Sequence, residues 1–196
     1  MHADTPVDRP RNLPIHALVC AAALSSLLGC TPAFDWRSVP VPGTQLVTEL
    51  PCRPSRFQRD VTVAGTPLKL FMLSCEAGGV TYGVATAEVG DLTRVDAVLH
   101  GLAESARDTI RSSEARFAAL NMGGATPFSG NSSAHLRGRR PDGQAVDESI
   151  RVFARGSRVF QASAIGAHLP EQALAPFEQG LRFDLARDVD GQADPR

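Results

Sequence analysis

Apolar residues follow three rhythms along this chain. The first is nearly unbroken: residues 13–28 are apolar apart from Pro14, His16 and two serines, and the densest part is 17–28. A run of that size matches the core of an export signal and falls short of the roughly 20 residues that a membrane-crossing helix needs. The second rhythm alternates between turn residues. Residues 45–50, 56–63, 68–74 and 80–87 read as strands, separated by Pro51 and by the turns Ala64-Gly65-Thr66-Pro67 and Ala77-Gly78-Gly79. The third has helical spacing. Leu92, Val95, Leu99, Leu102, Ala106 and Ile110 form one apolar stripe behind Asp91, a candidate N-cap. The stripe predicts a helix to about Ser113, with 115–120 as an extension that Gly123-Gly124 ends.

Alternation then returns. Residues 133–139 lead into the turn Arg140-Pro141-Asp142-Gly143-Gln144, and 146–154 follow. Gly156-Ser157 suits a two-residue hairpin turn, and 158–165 complete the pair with Phe153 opposite Phe160. Pro170 opens a short helix that carries Leu174 and Phe177 inward and stops at Gly180; Leu181-Arg182-Phe183 return to the sheet. The fold class expected is α+β: an antiparallel sheet packed against one long and one short helix, a sandwich preceded by a signal peptide. The expected divisions are a signal at 1–29, a lipidated start and proline-rich tether at 30–43, one α+β domain at 44–185, and a flexible tail at 186–196. Trp36, inside the tether, is expected to pack on the domain.

At 196 residues with a formal charge of -1, the chain has room for one domain and no electrostatic reason to bind nucleic acid. Arg9 and Arg11 precede the apolar run, and Leu27-Leu28-Gly29-Cys30 ends it. That run resembles the lipobox of bacterial lipoproteins, although Leu28 is bulkier than usual there and Asp4 and Asp8 dilute the basic start. The resemblance implies cleavage after Gly29, diacylglycerol on the Cys30 thiol and an acylated (palmitate-type) amino terminus. Its partner is then the membrane itself, held firmly because each buried methylene adds about 0.8 kcal/mol. Thr31, in place of an Asp, implies the outer membrane facing the periplasm. Export leaves Cys52 and Cys75 as one pair in an oxidising compartment, where a disulfide is the natural inference. The alternative, a two-cysteine zinc site, needs two more ligands, and none lies close in sequence.

The strand, turn and apolar pattern across about 44–185 is similar to small exported bacterial proteins with a PsbP-like α/β/α domain. The matching residues are Leu50-Pro51, Tyr82, the run from Val152 to Gln161, Ile165-Gly166, and Phe177 to Phe183. The group brings no shared catalytic residues, and its better understood relatives are binding and assembly modules.

No nucleophile elbow, zinc-protease motif, P-loop or dinucleotide fingerprint is present, so no catalytic, cofactor-binding or metal residue is assigned. The stretch Phe128-Ser129-Gly130-Asn131-Ser132-Ser133 reads as a loop. His100, His135 and His168 are scattered, and a triad drawn from them with Asp147 and Ser163 has no supporting spacing. One cluster stands out: Arg137, Arg139 and Arg140 end one strand, and Arg151, Arg155 and Arg158 follow on its neighbours. Arg137, Arg139 and Arg151 form a candidate basic patch for an envelope protein or a lipid phosphate. The competing reading is a solvated strand face balanced by Asp147 and Glu148. The leading expectation is a non-enzymatic, membrane-anchored envelope lipoprotein acting as a binding or assembly module. The alternatives are a carrier of a small apolar or lipid ligand in a cavity lined by Val95, Leu99 and Phe160, and a hydrolase with an unrecognised site.

Overall fold

The computed structural model describes residues 34–186. The predicted signal at 1–29, the lipidation residue Cys30 and residues 187–196 of the predicted tail lie outside the described residues. In chain order the elements are β1 (Arg37–Pro40), β2 (Leu46–Leu50), β3 (Ser55–Val63), β4 (Thr66–Ala77), β5 (Val80–Glu88), α1 (Val95–Thr109), β6 (Ala118–Ala119), β7 (Ser132–Arg139), β8 (Ala145–Arg155), β9 (Arg158–Gly166), α2 (Glu171–Gln179) and β10 (Arg182–Phe183).

The strands build two antiparallel sheets: seven strands in the order β3-β4-β5-β9-β8-β7-β6, and three in the order β1-β2-β10. The α+β sandwich expected from the sequence is thereby corrected. Strands hold 47% of the described residues and helix 18%, so the described domain is mostly β. The expected long helix is cut to Val95–Thr109, and one strand, β1, was not expected. β1 lies inside 30–43, which the prolines made look like a tether, and it pairs with β2 from Arg37↔Leu50 to Pro40↔Val47. Pro40 sits at the end of an edge strand, where a missing N–H costs no ladder bond. β10 closes the other side of β2 through Arg182↔Val47 and Phe183↔Leu46.

Pleating divides the large sheet into two faces. One carries Leu68, Leu70, Ala85, Leu136, Ile150, Val152 and Val159, and packs against the Val95, Val98, Leu99, Leu102 and Ala106 side of α1. The other carries Leu73, Val80, Tyr82, Phe153 and Phe160, and packs against β2, α2 and Leu181. The register Phe153↔Phe160 is the expected one, and the two rings stack with centroids 5.2 Å apart. Trp36 meets Tyr82 edge-on at 5.9 Å, so it packs on the domain.

α1 is shorter than its apolar stripe suggested. Asp91 does cap the start, accepting from the Thr93 amide at 2.9 Å, but Leu92 and its neighbours form a 3-10 turn that leaves Leu92 57% exposed. The end is a Schellman motif: the Ser112 amide donates to the Arg107 carbonyl and the Arg111 amide to Asp108. Arg111 takes the left-handed conformation there, φ 51°, which glycine usually fills. With no glycine to mark it, the stop was invisible in the sequence. The extension expected at 115–120 is instead irregular chain followed by β6.

The disulfide is present: Cys52 joins Cys75 with Cα atoms 5.9 Å apart. Cys52 follows β2 and Cys75 lies in β4, so the bond ties the small sheet to the large one.

Candidate functional site

The candidate basic patch lies on the face of β7 and β8 that α2 approaches. Antiparallel register places His135 opposite Ser149, Arg137 opposite Asp147, and Ser133 opposite Arg151. Asp147 shares that face. Glu148 does not: it is turned to the α1 face between Leu136 and Ile165, 5% exposed, so the balancing role expected of it is corrected.

The three arginines named from the sequence have different roles. Arg151 is committed to α2, donating to the Glu178 carboxylate at 2.8 Å and to the Glu178 carbonyl. Ser149 donates to the other carboxylate oxygen at 2.5 Å, and the His135 Nε2 stands 3.8 Å from that same oxygen. This pins the last turn of α2 onto β8. Arg139 donates to the Gly143 carbonyl at 2.9 Å and tightens the β7–β8 turn. Arg137 is exposed and, among the described residues, makes no ion pair or hydrogen bond. Of the wider cluster, Arg155 donates to the Gly124 carbonyl and lies 5.3 Å over the Phe183 ring, and Arg158 pairs with Glu88 at 3.2 Å.

Beside Arg137 opens a cleft of about 720 Å³, lined by Ser113, Glu114, Ala115, Arg116, His135 and Arg137. Its far wall, 113–116, is the irregular chain that the sequence read as helix. Sequence reasoning therefore missed that wall, because Arg111 gives no local signal for the turn. Arg116, also exposed, has no ion-pair partner among the described residues.

No family model and no curated protein matches this chain.

The structure also gathers a serine, a histidine and a carboxylate that the sequence did not group: Ser149, His135 and Glu178. Their order is wrong for an activated nucleophile. The imidazole has to lie between serine and carboxylate to take the serine proton, whereas here the carboxylate lies between the other two. Ser149 is also 4% exposed, with its hydroxyl spent on Glu178. The triad drawn from Asp147 and Ser163 does not assemble, since Ser163 pairs with Ile150 and shares its α1-side face while Asp147 lies on the other. His100 and His168 are exposed, and no hydrogen bond or ion pair joins either of them to Asp147 or Ser163. Among the described residues no group of three or more His, Cys, Asp or Glu side chains is placed to hold a metal ion.

The cavity that a lipid carrier would need is not lined as expected. Val95 and Leu99 are fully buried on the α1 face, and Phe160 lies on the opposite face of the sheet. The serine-rich loop is docked on α1: Gly130 packs on Leu99, and its amide donates to Asp96 at 2.7 Å.

Proposed function

We propose that this protein is a non-enzymatic envelope lipoprotein, anchored through acyl chains on Cys30, whose folded domain is a binding or assembly module. The carrying observation is the Cys52–Cys75 disulfide, because such bonds persist in oxidising compartments. It supports the export signal read from the run ending Leu27-Leu28-Gly29-Cys30. Among the described residues no helix is long and apolar enough to cross a membrane, so in this reading attachment rests on the lipid. A mostly β domain carrying an unpaired basic cleft suits recognition.

The test is the intact mass of the chain extracted from native membranes, taken before and after reduction and alkylation. A chain that begins at Cys30, carries acyl mass and yields two alkylated thiols only on reduction is the expected result. A chain that retains 1–29, or starts elsewhere without acyl mass, overturns the reading.

A further inference from the structure

The large sheet is left open beside β7 over a short stretch. β6 covers the beginning of β7 through Ala119↔Ser132 and Ala118↔Ser133. The far end is closed by the Ile110 carbonyl, which accepts from the Arg139 amide at 2.6 Å. That bond also sets the phase of the strand. In an antiparallel ladder, successive residues turn their backbone groups alternately toward and away from the neighbour. If Arg139 points away from β8, so do His135 and Arg137. The Leu120 amide reaching the Asn131 carbonyl at 3.0 Å gives the same phase from the other end.

Between the two closures the amides and carbonyls of His135 and Arg137 face the cleft, and no backbone group among the described residues pairs with them there. The slot thus presents two donors and two acceptors in strand alternation. Around it stand Arg116 and Arg137 against one lining carboxylate, Glu114, with Asp147 opposite Arg137 across the strand pair and Glu178 3.8 Å from the His135 Nε2.

We propose that this cleft takes an extended polypeptide segment bearing carboxylate side chains, which adds to the sheet as a further strand beside β7. The proposal rests on the reading of the domain as a binding module. A phosphate or lipid headgroup would satisfy the donors and the guanidiniums but leave both carbonyls facing an anion. Only a strand matches donors and acceptors together. The carboxylates follow from Arg116 and Arg137, which have no ion pair of their own. The open stretch, 134–138, spans roughly 17 Å of strand, so the occupant pairs over a few residues and the side chains carry the selectivity.

The test titrates the full chain, purified in detergent, with a seven-residue peptide of alternating threonine and glutamate, followed by backbone amide NMR. Saturable binding that moves the His135 and Arg137 amides is expected. Three changes should each weaken it at least tenfold: R137E, R116E on the opposite wall, and N-methylation of every peptide nitrogen. R56E, on the far edge strand β3, should leave affinity unchanged. Equal binding of the N-methylated peptide would reduce the cleft to an anion patch and overturn the proposal. So would no saturable binding of any peptide, or binding only to phosphatidylglycerol vesicles. Peptide failure with Cys30 acylated in native membranes leaves the anchored-module reading standing; an unlipidated Cys30 with peptide bound does the reverse.

Discussion

The two faces of the seven-stranded sheet meet carboxylates in opposite ways, a half-buried one from α2 on one side and a buried one from β8 on the other. On the α2 face, Glu178 receives donors from Ser149 and Arg151, and aromatic rings fill the space beside them. On the α1 face, Glu148 sits among aliphatic side chains, and among the described residues no hydrogen bond or ion pair reaches it. Burial alone raises its carboxyl from 4.5 to about 7. Glu148 and Ser149, neighbours in β8, thus meet different surroundings because the pleat turns one toward α1 and the other toward Glu178 of α2. A carboxylate with donors fastens a helix, whereas one without them is neutral in the fold at mildly acidic pH.

The largest expected effect comes from breaking the aromatic face. Phe160→Ala removes a side chain that stacks on Phe153 and meets Phe183 edge-on at 5.5 Å. It should cost about 3–5 kcal/mol, read as a shift in the urea midpoint. Next is the clamp on the same side. Reducing Cys52–Cys75, or replacing both with serine, releases a loop with a sequence separation of 23 and should cost about 3 kcal/mol. A reduced protein with an unchanged midpoint would show that the small sheet holds without it.

Glu148 sharpens the contrast. Its folded carboxyl titrates near 7 and its unfolded one near 4.5, so between those values the folded chain binds more protons. Its favourable share of stability is complete below about pH 4.5, declines as pH rises and is gone above about pH 7, a loss on the order of 3 kcal/mol. Glu148→Gln should flatten that window and make the protein more stable than wild type at pH 8. Urea curves at pH 4.5, 6 and 8 on both proteins decide it, and parallel pH dependence would show that the carboxyl finds water or a partner. The smallest effect falls on the α2 latch. Glu178→Ala leaves Arg151 and Ser149 without their acceptor and should cost about 1–3 kcal/mol. Faster hydrogen exchange should be confined to α2, and exchange spread over the whole sheet would contradict the latch.

Legibility in the sequence followed the range of the forces involved. β5, β7, β8 and β9 were placed within a residue or two, because alternation and turn residues are local signals. Phe153 and Phe160 were paired correctly because a two-residue turn fixes register. The Cys52–Cys75 bond was found from compartment and count. The strands at 45–50 and 181–183 were also read, but not their separation into a second sheet: Arg37–Pro40 becomes a strand only because β2 lies beside it, and which sheet a strand joins is set by pairing between residues far apart in the chain. The cleft wall at 113–116 was hidden for a related reason. Arg111 adopts a glycine-like conformation that Ile110 and Arg139 hold from a distance, through a contact between residues far apart in the chain. The apolar stripe found α1, yet it could not show that Glu148 lies on the sheet face that α1 covers.

The cross-link between the two sheets also governs how the domain bears load. A pull applied at the amino-terminal end peels β1 from β2, a strand pair at the edge of the smaller sheet. Extension stops at Cys52, which is bonded to β4 within the larger sheet. The chain from Phe34 to Cys52 pays out at most roughly 60 Å, and tension beyond that point passes sideways into a seven-stranded ladder. The disulfide makes the first strands a slack line of fixed length, with a covalent stop ahead of the core.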